Sequence, residues 1–344
     1  MSYLRNTWYV AAFSDELVAG QLLARTLLDE PLVFFRRPDG SVAALTDRCP
    51  HRFAPLSMGT LCDGGASVQC PYHGLRFDGQ GTCVHNPHGE GVIPKAATVA
   101  AHVAIERHGL LWLWAGAAVA ADPALIPDLS DVTSAPEHAC IRGYLPTACD
   151  YRLLADNIMD LTHVDYLHPT SLGNGSVSRA RAVVTELGPR SLRVAWWVSG
   201  EQAPPSFDPH LREPGRPADQ WTEATWTAPC LMRLDVGATL QGEPRDQGVR
   251  VAALHLATPE VPGRTHYWYW SARSFAISEA AHAHIKPVIE RAFIHEDKPM
   301  LEAQQRRLGG AEFWSLKPVL LPGDAGAVRA RRKLDALIAA ESNP

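Results

Sequence analysis

Two short segments carry the strongest chemical signal in the chain: Cys49-Pro50-His51 and, after eighteen intervening residues, Cys70-Pro71-Tyr72-His73-Gly74. Each offers one thiolate and one imidazole. Two loops of this kind at hairpin tips can pinch a metal centre between them, with Pro and Gly setting the tight backbone. Four such ligands suit a tetrahedral Cys2His2 zinc site. They also suit a [2Fe-2S] cluster in which both thiolates bind one iron and both imidazoles the other, the neutral histidines raising its reduction potential above that of an all-cysteine cluster. Zinc sites usually pair like ligands at short spacing, whereas here each loop mixes the types, which favours iron. Cys62, Cys83, Cys140, Cys149 and Cys230 show no partner spacing and are expected to be small buried or loop residues. His85 and His88 are expected on a turn, at the surface or as a lid over the first site.

A second constellation follows in the polar, helix-patterned run from Asp150 to His168. Asp156, Asp160 and His163 stand at i, i+4 and i+7 of such a helix, so Asp160 can reach His163, and Asn157 joins Asp160 as a candidate catalytic residue. His168 lies five residues beyond His163, about 140° around an ideal helix. Both can bind one metal only if the helix ends or bulges between them, and Pro169 supports an ending. Two imidazoles with one carboxylate make a facial triad that leaves positions open for dioxygen on a mononuclear Fe(II). The missing carboxylate is sought near the C-terminus, where Ile289, Phe293, Asp297 and Met300 or Leu301 recur at helical steps. Asp297 lies on that apolar stripe and Glu296 about 100° off it. A carboxylate on a buried stripe is costly unless paired or metal-bound, so Asp297 is the candidate ligand, with a salt bridge to an Arg as the alternative. Pro299 is expected to kink the helix there.

The elements that must hold these groups divide into two styles. From Arg25 to about Trp114 short β-like runs alternate with turn signals such as Pro38-Asp39-Gly40 and Asp78-Gly79-Gln80-Gly81, which predicts a small all-β domain over residues 1–120. A Pro- and Ala-rich stretch from Ala117 to Pro136 marks the crossing. Beyond it, residues 121–344 read as α+β: strand-like runs at Ser191–Val198, Ala228–Val236, Val249–Ala257 and His266–Ser271, then helical stretches near 278–309 and 324–341.

Bulk properties narrow the function classes. A chain of 344 residues suits two domains, and 46% hydrophobic with 20% charged residues is ordinary for a folded protein. The net charge of −5 leaves no basic footprint for nucleic acid. The cluster Arg329, Arg331, Arg332 and Lys333 is expected to be a solvated face near a helix C-terminus. The opening residues lack the pattern of a secretory signal, and the run Gly109–Ala121 is too short to span a bilayer, so no membrane segment is expected. Seven cysteines, an odd number, favour a reducing cytoplasm with some thiols on metal.

Cys49-Pro50-His51-Arg52 with Cys70-Pro71-Tyr72-His73-Gly74 matches the signature of Rieske proteins without departure, and the likeness extends along the whole chain. Through Asn6 to Ala11, Cys149 to Leu153, Asp156 to His168, Tyr267 to Phe275 and Glu296-Asp297 before Met300-Leu301-Glu302, it resembles the oxygenase components of Rieske non-heme iron oxygenases of the vanillate O-demethylase, dicamba O-demethylase and toluenesulfonate methyl-monooxygenase type. The resemblance implies an N-terminal Rieske domain followed by a helix-grip catalytic domain. Cys49, His51, Cys70 and His73 would hold the [2Fe-2S] cluster, and His163, His168 and Asp297 the mononuclear iron. It further implies a head-to-tail homotrimer in which Asp160 bridges His163 to His73 of the partner subunit. The implied reaction is O-demethylation of a methoxylated aromatic acid with O2. Hydroxylation of an aryl methyl group, as on a toluenesulfonate, or simple electron transfer are the alternatives. The chain has no Gly-x-Gly-x-x-Gly fingerprint, so electrons from NADH or NADPH must come through a separate reductase, directly or by way of a ferredoxin. His255 matches a histidine that in the dicamba enzyme faces the substrate carboxylate, and Arg233 resembles the toluenesulfonate enzyme; either would hold an anionic head group. Trp226 and Met232 are further candidates for the pocket wall.

Overall fold

The computed structural model describes residues 3–342. Its contacts separate two compact units, one of residues 5–127 with 258–261, the other built on 128–257 and 262–342 together with residues 3–4.

The first unit is all-β. Trp8–Phe13, Leu110–Trp114 and Ala104–Arg107 form one sheet; Leu23–Leu27, Glu30–Arg36, Val42–Thr46 and Ala101–His102 form a second; Thr60–Cys62, Ser67–Gln69, Arg76–Asp78 and Cys83–His85 form a third. The segment 70–75 is a hairpin tip between the middle strands of the third sheet. The segment 48–56 is not a hairpin tip, as its sequence suggested, but the crossing from the second sheet to the third. Cys49 and Cys70 are themselves part of the apolar core with Val33, Phe35, Leu45, Val68 and Phe77, so both loops are anchored through their cysteines.

The second unit is a seven-stranded sheet with helices. In order across the sheet the strands are Cys140–Thr147, Arg264–Arg273, Val249–Val261, Leu231–Leu240, Pro217–Thr227, Ser191–Gln202 and Val183–Gly188. Three of these, Cys140–Thr147, Val183–Gly188 and Pro217–Thr227, are absent from the sequence reading. Cys140–Thr147 contains Gly143 and Pro146, which argue against a central strand, and it is an edge strand where Pro is tolerated. Gly143 is required by packing, because a Cβ there would lie 2.3 Å from the Tyr269 hydroxyl.

The helical run from Asp150 is broken, not continuous. Helix Tyr151–Met159 stops at Asp160, whose φ of −128° and ψ of 92° leave the helical region; a 3-10 turn Leu161–His163 and a short helix Val164–Leu167 follow. Asp150 and Asp160 each accept a backbone N–H two residues on, from Arg152 at 2.8 Å and Thr162 at 3.0 Å. The C-terminal helices are Glu279–Arg291, Lys298–Leu308 and Ala325–Ser342, the first two joined by a wide π-helical turn at Ala292–Asp297. The basic cluster sits inside the last helix, and Arg331 is not solvated. It is 6% exposed and ion-paired with Asp156 of helix Tyr151–Met159, because its position on the helix faces inward while Arg329 and Arg332 face water.

Candidate active site

Three donor groups from two distant parts of the second unit converge: His163, His168 and Asp297 each bring a ligand atom to within 4.8 Å of the others. His163 Nε2 lies 3.5 Å and His168 Nε2 3.1 Å from Asp297 Oδ1. The break at Asp160 is what permits this, since it restarts the helix so that both imidazoles face one point. Each ring is oriented through its other nitrogen. His163 Nδ1 is 2.7 Å from the Asp160 carbonyl, and His168 Nδ1 is 2.6 Å from Glu296 Oε2. Both Nε2 atoms are thereby left toward the shared centre, the arrangement that fixes tautomer and ring angle in metal sites. Asn157 Nδ2 completes the cluster, 3.2 Å from Asp297 Oδ1 and 3.4 Å from His163 Nε2.

The π turn explains why Glu296 and Asp297, side by side in sequence, both reach His168. Lys298 N–H bonds back five residues to the Phe293 carbonyl, and Pro299 has no N–H to restore the tighter pattern. Glu296 was the carboxylate set aside in favour of Asp297, and its orienting role is missed by a reading that assumes a regular helix. Burial pushes the Asp297 carboxyl up, but hydrogen bonds from His163 and His168 outweigh it and hold the group well below the ordinary carboxylate range. Burial works against a charged His168, while Asp297 and Glu296 pull its pKa above the usual value. Two imidazoles and one ionised carboxylate in this array fit a divalent metal with one side open.

That side opens into a cavity of about 430 Å³ with largely apolar walls, including Ile158, Leu234, Val236, Val251, Ile289 and Phe293. His255 lines it and is 1% exposed, its Nδ1 2.6 Å from the Tyr267 hydroxyl and its Nε2 without a partner. Burial lowers the His255 pKa to about 4, and burial raises that of Tyr267 well above the ordinary phenol value. The ring is therefore neutral and the phenol keeps its proton. With the Tyr267 O–H as donor to Nδ1, Nε2 carries the imidazole hydrogen; with Nδ1–H as donor to the phenol oxygen, Nε2 is an acceptor.

Arg233 has a different place. Cross-strand register puts Trp226, Met232 and His255 in one row on one face of the sheet and Arg233 opposite Thr225 and Leu254 on the other. Its guanidinium pairs with Asp131 and does not line the cavity. Trp226 and Met232 share the face of His255 but are 1% and 0% exposed, packed in the core and not on the cavity wall.

In the first unit, the Cys49 and Cys70 thiols are buried, neither is in a disulfide, and Cys70 lies beside Cys49. Burial, with Cys70 alongside, raises the Cys49 thiol to about 11 in the absence of a cation. The His51 and His73 rings lie 4.3 Å apart nearer the surface. Gly74 closes the second loop at φ 73°, where a Cβ would meet Pro87 at 3.1 Å. His88, exposed, binds the His73 carbonyl at 2.8 Å, while His85 ends a strand and does not sit on a turn. Two adjacent buried thiols backed by two outward imidazoles are a donor set that would suit a two-metal cluster.

Two family models match in tandem: the Rieske [2Fe-2S] domain over residues 7–97 and the vanillate O-demethylase oxygenase C-terminal domain over residues 147–340. The chain belongs to the Rieske non-heme iron oxygenase components. It is similar to the oxygenase component of dicamba O-demethylase from Stenotrophomonas maltophilia, 38% identical over 98% of each chain. It is 39% identical to the oxygenase component of chloroacetanilide N-alkylformylase from Rhizorhabdus wittichii, over 99% of this chain and 97% of that one. The crystal structure of dicamba monooxygenase bound to 3,6-dichlorosalicylic acid superposes with a TM-score of 0.90 at 36% identity, each chain covered in full. As a Rieske oxygenase component, the chain uses a [2Fe-2S] cluster and a mononuclear iron and works with a separate source of electrons. No helix among the described residues is long and apolar enough to cross a membrane.

Proposed function

We propose that this Rieske oxygenase component removes the methyl group of a methoxylated aromatic acid, using O2 and electrons that an NADH- or NADPH-dependent reductase delivers directly or through a ferredoxin. The observation that carries this reading is the three-donor cluster His163, His168 and Asp297 opening on one side into an apolar cavity of aromatic dimensions. In this reading residues 1–120 form the domain in which Cys49, His51, Cys70 and His73 hold the cluster. Residues 121–344 form the catalytic domain in which His163, His168 and Asp297 hold the iron. Bound there, the cluster supplies electrons one at a time and the iron activates dioxygen for hydroxylation of the methyl carbon.

The residues of the chain do the rest. Glu296 and the Asp160 carbonyl keep both imidazoles aimed, Asn157 donates to Asp297, and the apolar wall excludes water from the reacting face. His255 offers the Nε2 of a neutral imidazole to a polar group on the substrate. The hydroxylated methoxy carbon is a hemiacetal that collapses to a phenol and formaldehyde. For each methyl lost, one O2, two electrons and two protons are consumed and one water is released. The same reading makes the protein a cytoplasmic homotrimer in which Asp160 links His163 to His73 of the partner subunit; the seven free cysteines suit that compartment.

The test is incubation of anaerobically purified protein with a reductase, NADH and a panel of methoxybenzoates and methylbenzenesulfonates. Formaldehyde formed in step with a phenol supports demethylation. A benzylic alcohol without formaldehyde replaces it with methyl hydroxylation.

A further inference from the structure

Two residues that line the cavity, His255 and Arg273, each carry a buried side-chain nitrogen that lacks a hydrogen-bond partner, Nε2 and Nε. His255 is already part of the proposed site. Arg273 is not, and its electrostatics are unusual. It is 5% exposed at the end of strand Arg264–Arg273, and its guanidinium binds only main-chain carbonyls: Ala139 at 3.3 Å, Ala276 at 3.2 Å, and His138. No carboxylate among the described residues pairs with it. Carbonyls satisfy N–H groups but do not neutralise a charge, and a cation taken out of water without a counter-charge is costly. The neighbouring rings, Phe275 with His210 tilted at 33° and 4.6 Å from it, give no compensation, since an imidazole carries no negative charge in either protonation state; burial, and then Arg273 itself, lower the pKa of His210.

The register places this cation away from the triad. His255, whose ring lies 5.6 Å from that of Phe293, pairs with Met232, while Val251 pairs with Val236. Those two rows are four residues apart, roughly 13 Å along the strand. Arg273 belongs to the Val251 end, because Ser274 N–H bonds the Arg250 carbonyl at 2.9 Å. One cavity therefore has a neutral imidazole near the metal donors and an uncompensated cation at its other end.

We propose that Arg273 binds the anionic head group of the substrate, holding it at the end of the cavity remote from His163, His168 and Asp297. The proposal rests on the reading of the cavity as the substrate site and replaces Arg233 as the source of positive charge. It names the substrate class: an aryl carboxylate or sulfonate whose anion and oxidised methyl group lie at opposite ends of the molecule. The Nε–H donates to an anion oxygen, and the two terminal nitrogens keep their carbonyls.

The experiment compares 4-methoxybenzoate with its neutral counterpart 4-methoxybenzamide on the holoenzyme, by calorimetric Kd and by kcat and KM, in wild type, Arg273→Gln and Arg273→Lys. The wild type should bind the acid at least about tenfold more tightly than the amide. Arg273→Gln should abolish that preference by weakening the acid alone, with kcat at saturation retained, and Arg273→Lys should keep part of it. A residue that only clamps residues 138–139 would weaken both ligands equally, which overturns the proposal. So does a wild type that shows no preference or binds neither ligand, and this arm stands even if Arg273→Gln does not fold. Demethylation with no dependence of the preference on Arg273 sinks this inference and spares the proposed function. Tight, Arg273-dependent binding of the acid without formaldehyde does the reverse.

Discussion

The two groups of proposed metal donors are built on opposite principles. Cys49, His51, Cys70 and His73 come from two loops fewer than thirty residues apart, and the cysteines are fixed because they are core residues of a small sheet domain. His163, His168 and Asp297 span more than 120 residues and meet only because a helix stops at Asp160 and another widens into a π turn at Ala292–Asp297. A site of the first kind depends on local chain geometry. A site of the second kind depends on second-tier side chains and on tertiary packing, so the same kind of substitution should act differently in the two places.

The largest expected contrast comes from deleting a donor. His163→Ala or Asp297→Ala should reduce turnover to background while leaving the visible spectrum of the cluster unchanged, with iron falling from about three to about two per chain. Cys70→Ser should instead bleach the visible spectrum and remove acid-labile sulfide. A bleached spectrum in His163→Ala would mean that the two centres are not independent.

A smaller effect is expected one step out from the metal. Glu296→Gln keeps the shape but loses the carboxylate that orients His168, and should weaken iron binding about 10- to 100-fold without touching the cluster. Iron titration of the apoprotein measures it, and unaltered affinity would reduce Glu296 to a surface partner of Arg291, which it also contacts at 3.2 Å.

Packing supplies the third contrast. Arg331→Met removes the partner of Asp156 and should cost on the order of 3 kcal/mol in urea unfolding. Burial pushes the Asp156 carboxyl up to about 6 despite Arg331. A folded-state pKa raised above the unfolded value means that the burden of the charge is felt above it and vanishes as the group protonates. The Arg331→Met deficit should therefore be largest at neutral pH and shrink as pH falls through about 6. A deficit independent of pH would show lost packing against Phe313, over whose ring the guanidinium lies 4.2 Å from the centroid, and not lost charge.

How much was legible follows the same division. The first proposed donor set is written in consecutive residues, because its spacing lies within two loops, and the structure brings its two cysteines into one core and its two imidazoles side by side. In the second set residue type and helical stripe single out the three residues that the structure brings together, but not the device that unites them. Asp156, Asp160 and His163 look like one helical face until Asp160 is seen to cap a new turn, and Glu296 looks misdirected until the turn widens. Pro299 was the local hint of that widening. Arg233 could have been excluded by alternation, since Met232, Leu234 and Val236 are apolar while Arg233 and Asp235 are charged, the mark of two faces of one strand. Arg273 carries no such mark; nothing in its neighbourhood in sequence says that the nearest carboxylates lie out of reach.

Asp160 offers the finest test, because it joins both principles in one residue. Its carbonyl orients His163 and survives any substitution, whereas its carboxylate caps the next turn through Thr162 N–H at 3.0 Å and the Thr162 hydroxyl at 2.7 Å. Asp160→Ala should cost about 1 kcal/mol as a lost cap, leave both iron centres occupied, and slow electron transfer between them in single-turnover measurements. Asp160→Asn separates the causes, since an amide caps nearly as well as a carboxylate but carries no charge. Slow transfer in both variants assigns the effect to the charge that the proposed bridge to the partner subunit requires. Slow transfer in the alanine variant alone assigns it to the turn that aims His163, and unchanged rates in both remove Asp160 from the electron path altogether.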